Sequence, residues 1–216
     1  YLLVNTTFMP YDDEGYVLIS LRNYLSGLRL YDDVFSQYGP WPYVYHELIT
    51  SALHVTVTHA LGRLLTVFHW VGTALMCGWL GWRLTRNQFA ATASAALVFG
   101  LMWQNTSEPS HPGSHIAFLI SVAVVLVSYL ADTRRPVLVY AALGTITGLL
   151  LLTKINVGLL LAAGLGCFAL RHTAWPDRFV RPAGLLAVAG ILAVPWVLLG
   201  RQLDQGWVQI FAMEFT

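Results

Sequence analysis

Charge is what this sequence has least of. Asp, Glu, Lys and Arg make up 11% of its 216 residues, and Lys154 is its single lysine. So few basic side chains form no stripe, which leaves nucleic-acid binding without support. The two cysteines, Cys77 and Cys167, sit in separate apolar segments far apart in sequence. They read as small core residues rather than as a disulfide or a metal pair. A Walker loop, a Ser-His-Asp pattern, a Gly-rich nucleotide loop, internal repeats and low-complexity segments are all missing.

What is there instead is apolar. Hydrophobic residues make up 56% of the chain and the mean hydropathy is +0.61, far above an average soluble domain. A hydrocarbon layer ~30 Å thick requires roughly 20 helical residues to cross, and apolar stretches separated by short polar loops recur from about Leu61 to Gly200. The expected fold is all-α, a polytopic transmembrane helical bundle, with spans at roughly 62–82, 88–103, 114–131, 137–153, 156–170 and 183–200. We expect one membrane-embedded domain over residues 1–216. Residues 1–59 form a first outer loop with amphipathic juxtamembrane helices, 60–200 carry the six spans, and 201–216 begin a further outer loop. Both ends read as cut: Tyr1-Leu2-Leu3-Val4 resembles the tail of an earlier span, and Phe215-Thr216 stops just after a polar turn.

The scarce charges are distributed unevenly. Loops after the first, third and fifth spans hold Arg83, Arg86, Arg134, Arg135, Arg171, Arg178 and Arg181, seven of the twelve basic residues. By the positive-inside rule these loops are cytoplasmic. The other loops hold nine of the eleven acids, which marks the outer face. A single helix from Val137 to Leu170 is the alternative for one stretch, but its 34 residues would run ~51 Å and put Arg134 and Arg171 on opposite sides. Two short spans, with Lys154 at the outer turn between them, fit better.

Within the first outer loop, Val17, Leu18, Leu21, Tyr24, Leu25 and Leu28 recur at three- and four-residue steps while Arg22, Ser26 and Arg29 fall on another face. That pattern predicts an amphipathic helix on the membrane surface. Gly39-Pro40-Trp41-Pro42 breaks the chain, and a second helix is expected from about Val44 to Ala60. His46, His54 and His59 share no clean metal spacing and read as interfacial polar residues, as His115 reads as a helix-cap neighbour.

Three consecutive acids, Asp12, Asp13 and Glu14, precede the first of these helices. Capping accounts for one or two of them, at about 1 kcal/mol or less each. Three adjacent like charges repel one another, and a cluster beside lipid is better explained by a cation or by a hydroxyl awaiting deprotonation.

Tyr11-Asp12-Asp13-Glu14-Gly15-Tyr16, then Leu28-Arg29-Leu30-Tyr31-Asp32-Asp33, then Gln37-Tyr38-Gly39-Pro40 and Leu61-Gly62-Arg63-Leu64, resemble in order and spacing the first outer loop of the GT-C glycosyltransferases. The branch they resemble most is that of protein O-mannosyltransferases and lipid A aminoarabinose transferases. The resemblance covers residues 8–66 in motif detail and the remainder only in its pattern of spans. It implies transfer of a sugar from a polyprenyl-phosphate donor to a glycan, lipid or protein acceptor, on the periplasmic or exterior face of a membrane such as the bacterial inner membrane. Asp13 matches the general base, with Glu14 beside it as a second catalytic acid. Asp12, Tyr38, Arg63 and Lys154 are the candidate substrate-binding residues, the two cations for the lipid phosphate. In some of these enzymes a later-loop acid joins the first-loop acid around a divalent metal, which makes Glu108 and His111 candidate ligands with Asp13. The branch is often described as metal-free, so the expected cofactor is a divalent metal ion or none. Two other readings remain open: a transporter or flippase for a lipid-linked glycan, and a non-catalytic membrane subunit whose acidic loop binds a partner.

Overall fold

The computed structural model describes residues 14–102, 109–130 and 133–172, with Pro182 and Ala189. The described residues form seven α-helices and no strand: α1 (Glu14–Leu25), α2 (Trp41–Leu53), α3 (His59–Thr85), α4 (Gln88–Met102), α5 (Pro112–Tyr129), α6 (Pro136–Leu151) and α7 (Ile155–His172). The all-α expectation holds. The chain divides into two compact units, Tyr1–Gly158 and Leu159–Thr216, and the site lies in the first.

Local chemistry sets the helix boundaries. Val17, Leu18 and Leu21 make the buried stripe of α1, and Gly27, at φ +96°, turns the chain just past its end. Helix α2 begins inside the Gly-Pro-Trp-Pro element instead of after it. Pro40 is its N-cap and Pro42 sits in its first turn, where a missing N–H breaks no helical bond. It stops at His54, whose left-handed φ of +52° ends the helix well short of the expected Ala60. The Thr58 hydroxyl accepts from the Leu61 N–H to open α3, and Asn87 Oδ1 accepts from the Phe89 N–H to open α4. Helix α5 starts at Pro112, capped by His111. His115 is therefore a first-turn residue near the cap, and it faces inward.

Helix α3 packs against α4, α5 and α1, α5 packs against α6, and α1 packs against α2. Gly78 and Gly81 of α3 lie against Ala95 and Ser94 of α4, so small side chains on both helices allow close approach. Two helices, α3 and α5, are long and apolar enough to cross a membrane. Helix α3 alone has 27 residues, about 40 Å of helix. Helices α4 and α6 are apolar but shorter. The break at Leu152–Lys154 separates α6 from α7, which rules out one helix over Val137–Leu170. The sixth expected span, 183–200, lies outside the described residues apart from Ala189.

Candidate functional site

Two sets of contacts define opposite ends of the helices. At one end Arg83 donates to the Ser128 carbonyl at 2.9 Å and stacks on the Tyr129 ring, while Trp79 Nε1 donates to the Tyr129 hydroxyl at 3.0 Å. The C-termini of α3 and α5 therefore meet, and Arg83, Arg86, Arg134 and Arg135 share that end. At the other end, α1, α2 and the 26–40 segment cover the N-termini of α3 and α5 and the α6–α7 turn. The described acids Glu14, Asp32, Asp33 and Glu47 all belong to this covering layer.

The centre of the acidic end is Glu14. Arg63 Nε and one terminal nitrogen donate to its two carboxylate oxygens at 2.8 and 2.6 Å, a bidentate pair in which Glu14 is 2% exposed and Arg63 1%. His59 Nδ1 lies 3.2 Å from the same carboxylate. This joins the first residue of α1 to the second turn of α3. Sequence reasoning assigned Glu14 to catalysis and Arg63 to a lipid phosphate, and the fold brings the two onto each other.

Tyr38 reaches the same layer. Its hydroxyl lies 2.7 Å from His111 Nε2. The Gly113 N–H donates to His111 Nδ1 at 2.9 Å, so Nδ1 carries no proton and Nε2–H faces Tyr38. Both ring nitrogens of His111 are thus engaged. Glu108, Asp12 and Asp13 lie outside the described residues. Among the described residues no group of three or more His, Cys, Asp or Glu is arranged to hold a metal ion.

Lys154 arrives by backbone pairing. The Gly39 N–H donates to the Thr153 carbonyl and the Trp41 N–H to the Leu152 carbonyl, each at 2.9 Å. A Cβ at Gly39 would overlap the Leu152 carbonyl, so glycine is required for this approach. Thr153 is fully buried and Lys154, next to it, is exposed. The lysine therefore stands beside the Gly39–Trp41 segment with its side chain in reach of solvent.

Sequence reasoning missed a buried aromatic and imidazole network under this layer. Trp41 Nε1 donates to His115 Nε2 at 2.9 Å, His115 Nδ1 lies 3.0 Å from His69 Nε2, and the Tyr45 hydroxyl lies 3.0 Å from the same His69 nitrogen. Nearby, His46 Nδ1 donates to the Pro42 carbonyl at 2.7 Å, and burial pushes the pKa of that imidazole below its ordinary value. A cavity of about 30 Å³ lies among Tyr45, His46, Thr66, His69, Ser110 and His115. Its lining includes Ser110, held at φ +67° by donation from its N–H to the Thr66 hydroxyl at 2.8 Å. The Ser110 hydroxyl is buried with no hydrogen-bond partner among the described residues. The signal for this network was His69, an ionisable residue in the middle of an apolar segment.

Asp32 and Asp33 close the 29–33 turn on Arg29. Asp33 Oδ2 accepts from the Arg29 N–H at 3.0 Å and from its Nε at 3.2 Å, which holds the Asp33 carboxyl below the usual carboxylate pKa. No family model matches the sequence, and no curated protein or solved structure is significantly similar to it.

Proposed function

We propose that this chain is the catalytic membrane portion of a glycosyltransferase that moves a sugar from a polyprenyl-phosphate donor to an acceptor on the non-cytoplasmic side. The observation that carries the reading is the convergence of Glu14–Arg63, Tyr38–His111 and the Lys154 turn at one end of apolar helices. A polytopic membrane setting is part of the proposal. It is supported by the large apolar side chains that α3 to α6 leave exposed, among them Phe68, Leu75, Phe89, Leu97 and Val137. The acidic end then lies at headgroup depth on the outer side, where the phosphate of a lipid-linked donor sits, and the arginine end faces the cytoplasm.

In this reading the labour divides among the candidates. Both oxygens of Glu14 hold Arg63, so Glu14 anchors the start of α1, and the proton of the acceptor hydroxyl falls to Asp13, its covalent neighbour. Arg63 is neutralised by Glu14. The exposed ammonium of Lys154 is then the cation for the departing phosphate. Asp12 and Tyr38 contact substrate in this scheme, and a divalent metal held by Glu108 and Asp13 is not required by it.

Replacing Asp13 with Asn is expected to abolish sugar transfer in membranes supplied with a polyprenyl-phosphate donor, while expression and insertion stay normal. Retention of most of the transfer would overturn the assignment of the base. A transporter of lipid-linked glycan is the second reading, favoured by one observation: the imidazoles of His69 and His115 are buried between helices. Transport of the intact donor by an Asp13→Asn protein that transfers no sugar would favour it.

A further inference from the structure

The indole of Trp41 sets donors and acceptors along the Trp41–His115–His69–Tyr45 chain. An indole N–H only donates, so His115 Nε2, its acceptor, carries no proton. The His115 proton is on Nδ1 and points at His69 Nε2, which must be bare to accept it. The Tyr45 hydroxyl donates to the same nitrogen. One additional proton costs a bond: on His69 Nε2 it can turn to the Tyr45 hydroxyl oxygen, but it occupies the lone pair to which the His115 Nδ1–H donates. If His115 responds by moving its own proton to Nε2, that N–H faces the Trp41 N–H. Either way two donors confront each other inside a buried junction, where an unmade hydrogen bond is costly.

The chain is also a mechanical link. Trp41 and Tyr45 belong to α2, His69 to α3 and His115 to α5, so these contacts tie α2 down over the cavity that its own Tyr45 and His46 help to line. We propose that this junction is a proton-released latch: uptake of a proton by the His69–His115 pair loosens α2 and opens the cavity beneath it.

The other titratable groups at the cavity are Tyr38, Tyr43, Tyr45, His46 and His111. Each histidine among them has a fixed role: His46 donates to Pro42, and His111 spans Gly113 and Tyr38. Glu14 and Arg63, farther toward the start of α3, neutralise each other with His59 beside them. Glu47 is held by the Tyr24 hydroxyl. Helix α4 carries no titratable residue and α6 only Tyr140. The His69–His115 pair is the one place at this junction where two imidazoles meet nitrogen to nitrogen among the described residues.

The test is amide hydrogen exchange of Trp41–Leu53 in the whole chain in lipid nanodiscs, read as protection factors between pH 7.5 and 5.0. If the released state has ordinary imidazoles titrating near pH 6.5, protection falls by up to about tenfold per pH unit below that value for each histidine that takes up a proton. The His69→Gln, His115→Gln double variant keeps an acceptor and a donor at each position but cannot titrate, and its protection of α2 is expected to be flat with pH. Trp41→Phe removes the donor-only end, lets the pair hold a proton, and is expected to make the fall shallower in an otherwise unaltered pair. Protection that is flat in the parent chain overturns the latch. So does an equal fall in the parent and in both variants, which would assign the effect to His46 or to the Glu14–His59 contact.

Discussion

The two ends of the helical unit are fastened by opposite means. At the acidic end the fasteners are buried: a bidentate carboxylate–guanidinium pair, an imidazole chain, and backbone bonds from Gly39 and Trp41 to the α6–α7 turn. At the arginine end they are partly open to solvent: a guanidinium on a tyrosine ring, a carbonyl contact and an indole on a hydroxyl. Buried polar contacts fix one geometry, because each group that loses its partner is left desolvated and unpaired. Exposed ones can be exchanged for water at little loss. An end that must hold reacting groups in register is better built the first way, and an end that only keeps two helix termini together can be built the second.

The comparison breaks most sharply at Arg63. Arg63→Ala strands the Glu14 carboxylate in the protein interior, and the expected loss is about 3–5 kcal/mol of stability, read as the shift in thermal unfolding of the detergent-solubilised chain. Replacing both partners with leucine removes the stranded charge and should recover much of that loss, since a well-packed apolar pair often matches a buried ion pair. A single variant that unfolds within about 1 kcal/mol of the parent would mean that water reaches the pair and that the acidic end is no more rigid than the other.

Why one end could be read in the sequence less well than the other follows from the range of its interactions. Helix positions follow from apolar runs and their punctuation, all of it local, which is why five helices lie where five apolar spans were expected. The start of α2 was misjudged because Pro40 and Pro42 read as breakers, whereas a proline in the first turn forfeits no hydrogen bond. The end of α2 was misjudged because the left-handed turn at His54 has no glycine to announce it. The loop arginines Arg83, Arg86, Arg134 and Arg135 lie at the end opposite the described acids, as their loops do along the chain, since loop charge is a property of position alone. Pairings are another matter. Glu14 meets Arg63 across 49 residues, His69 meets His115 across 46, and Trp41 meets His115 across 74. Glu14 stood out in the sequence as an acid in a cluster, Arg63 as a cation at the start of an apolar run and His69 as a histidine within one, while Trp41 read only as part of a chain break. Nothing local says which of them touch.

Gly62 tests the acidic end by shape instead of charge. It faces Ser110 so closely that a methyl group at Gly62 would overlap the Ser110 hydroxyl and crowd its Cβ at 3.2 Å; the hydroxyl can turn aside, but the Cβ is held while the Ser110 N–H is bound to Thr66 in the next turn of α3. Gly62→Ala is expected to cost about 1–3 kcal/mol in the same unfolding assay, by overpacking. Adding Ser110→Gly should relieve it, because glycine removes the colliding atoms and also suits the positive φ at that position. No recovery in the double variant would locate the strain elsewhere on α3.

The smallest effect belongs to the arginine end. Arg83→Ala removes one cation–π contact and one bond to the Ser128 carbonyl, and leaves behind a tyrosine ring that still meets Trp79. With water available to the freed carbonyl, the loss should be about 1 kcal/mol or less and should diminish as salt is raised. The value of this variant lies in its contrast with Arg63→Ala. Two arginines on one helix, about 30 Å apart by the rise per residue, differ in consequence because one is sealed against a carboxylate and the other rests on an accessible ring. A loss at Arg83 as large as the loss at Arg63 would show that burial does not set the hierarchy, and the division of the molecule into a rigid end and a yielding one would fall with it.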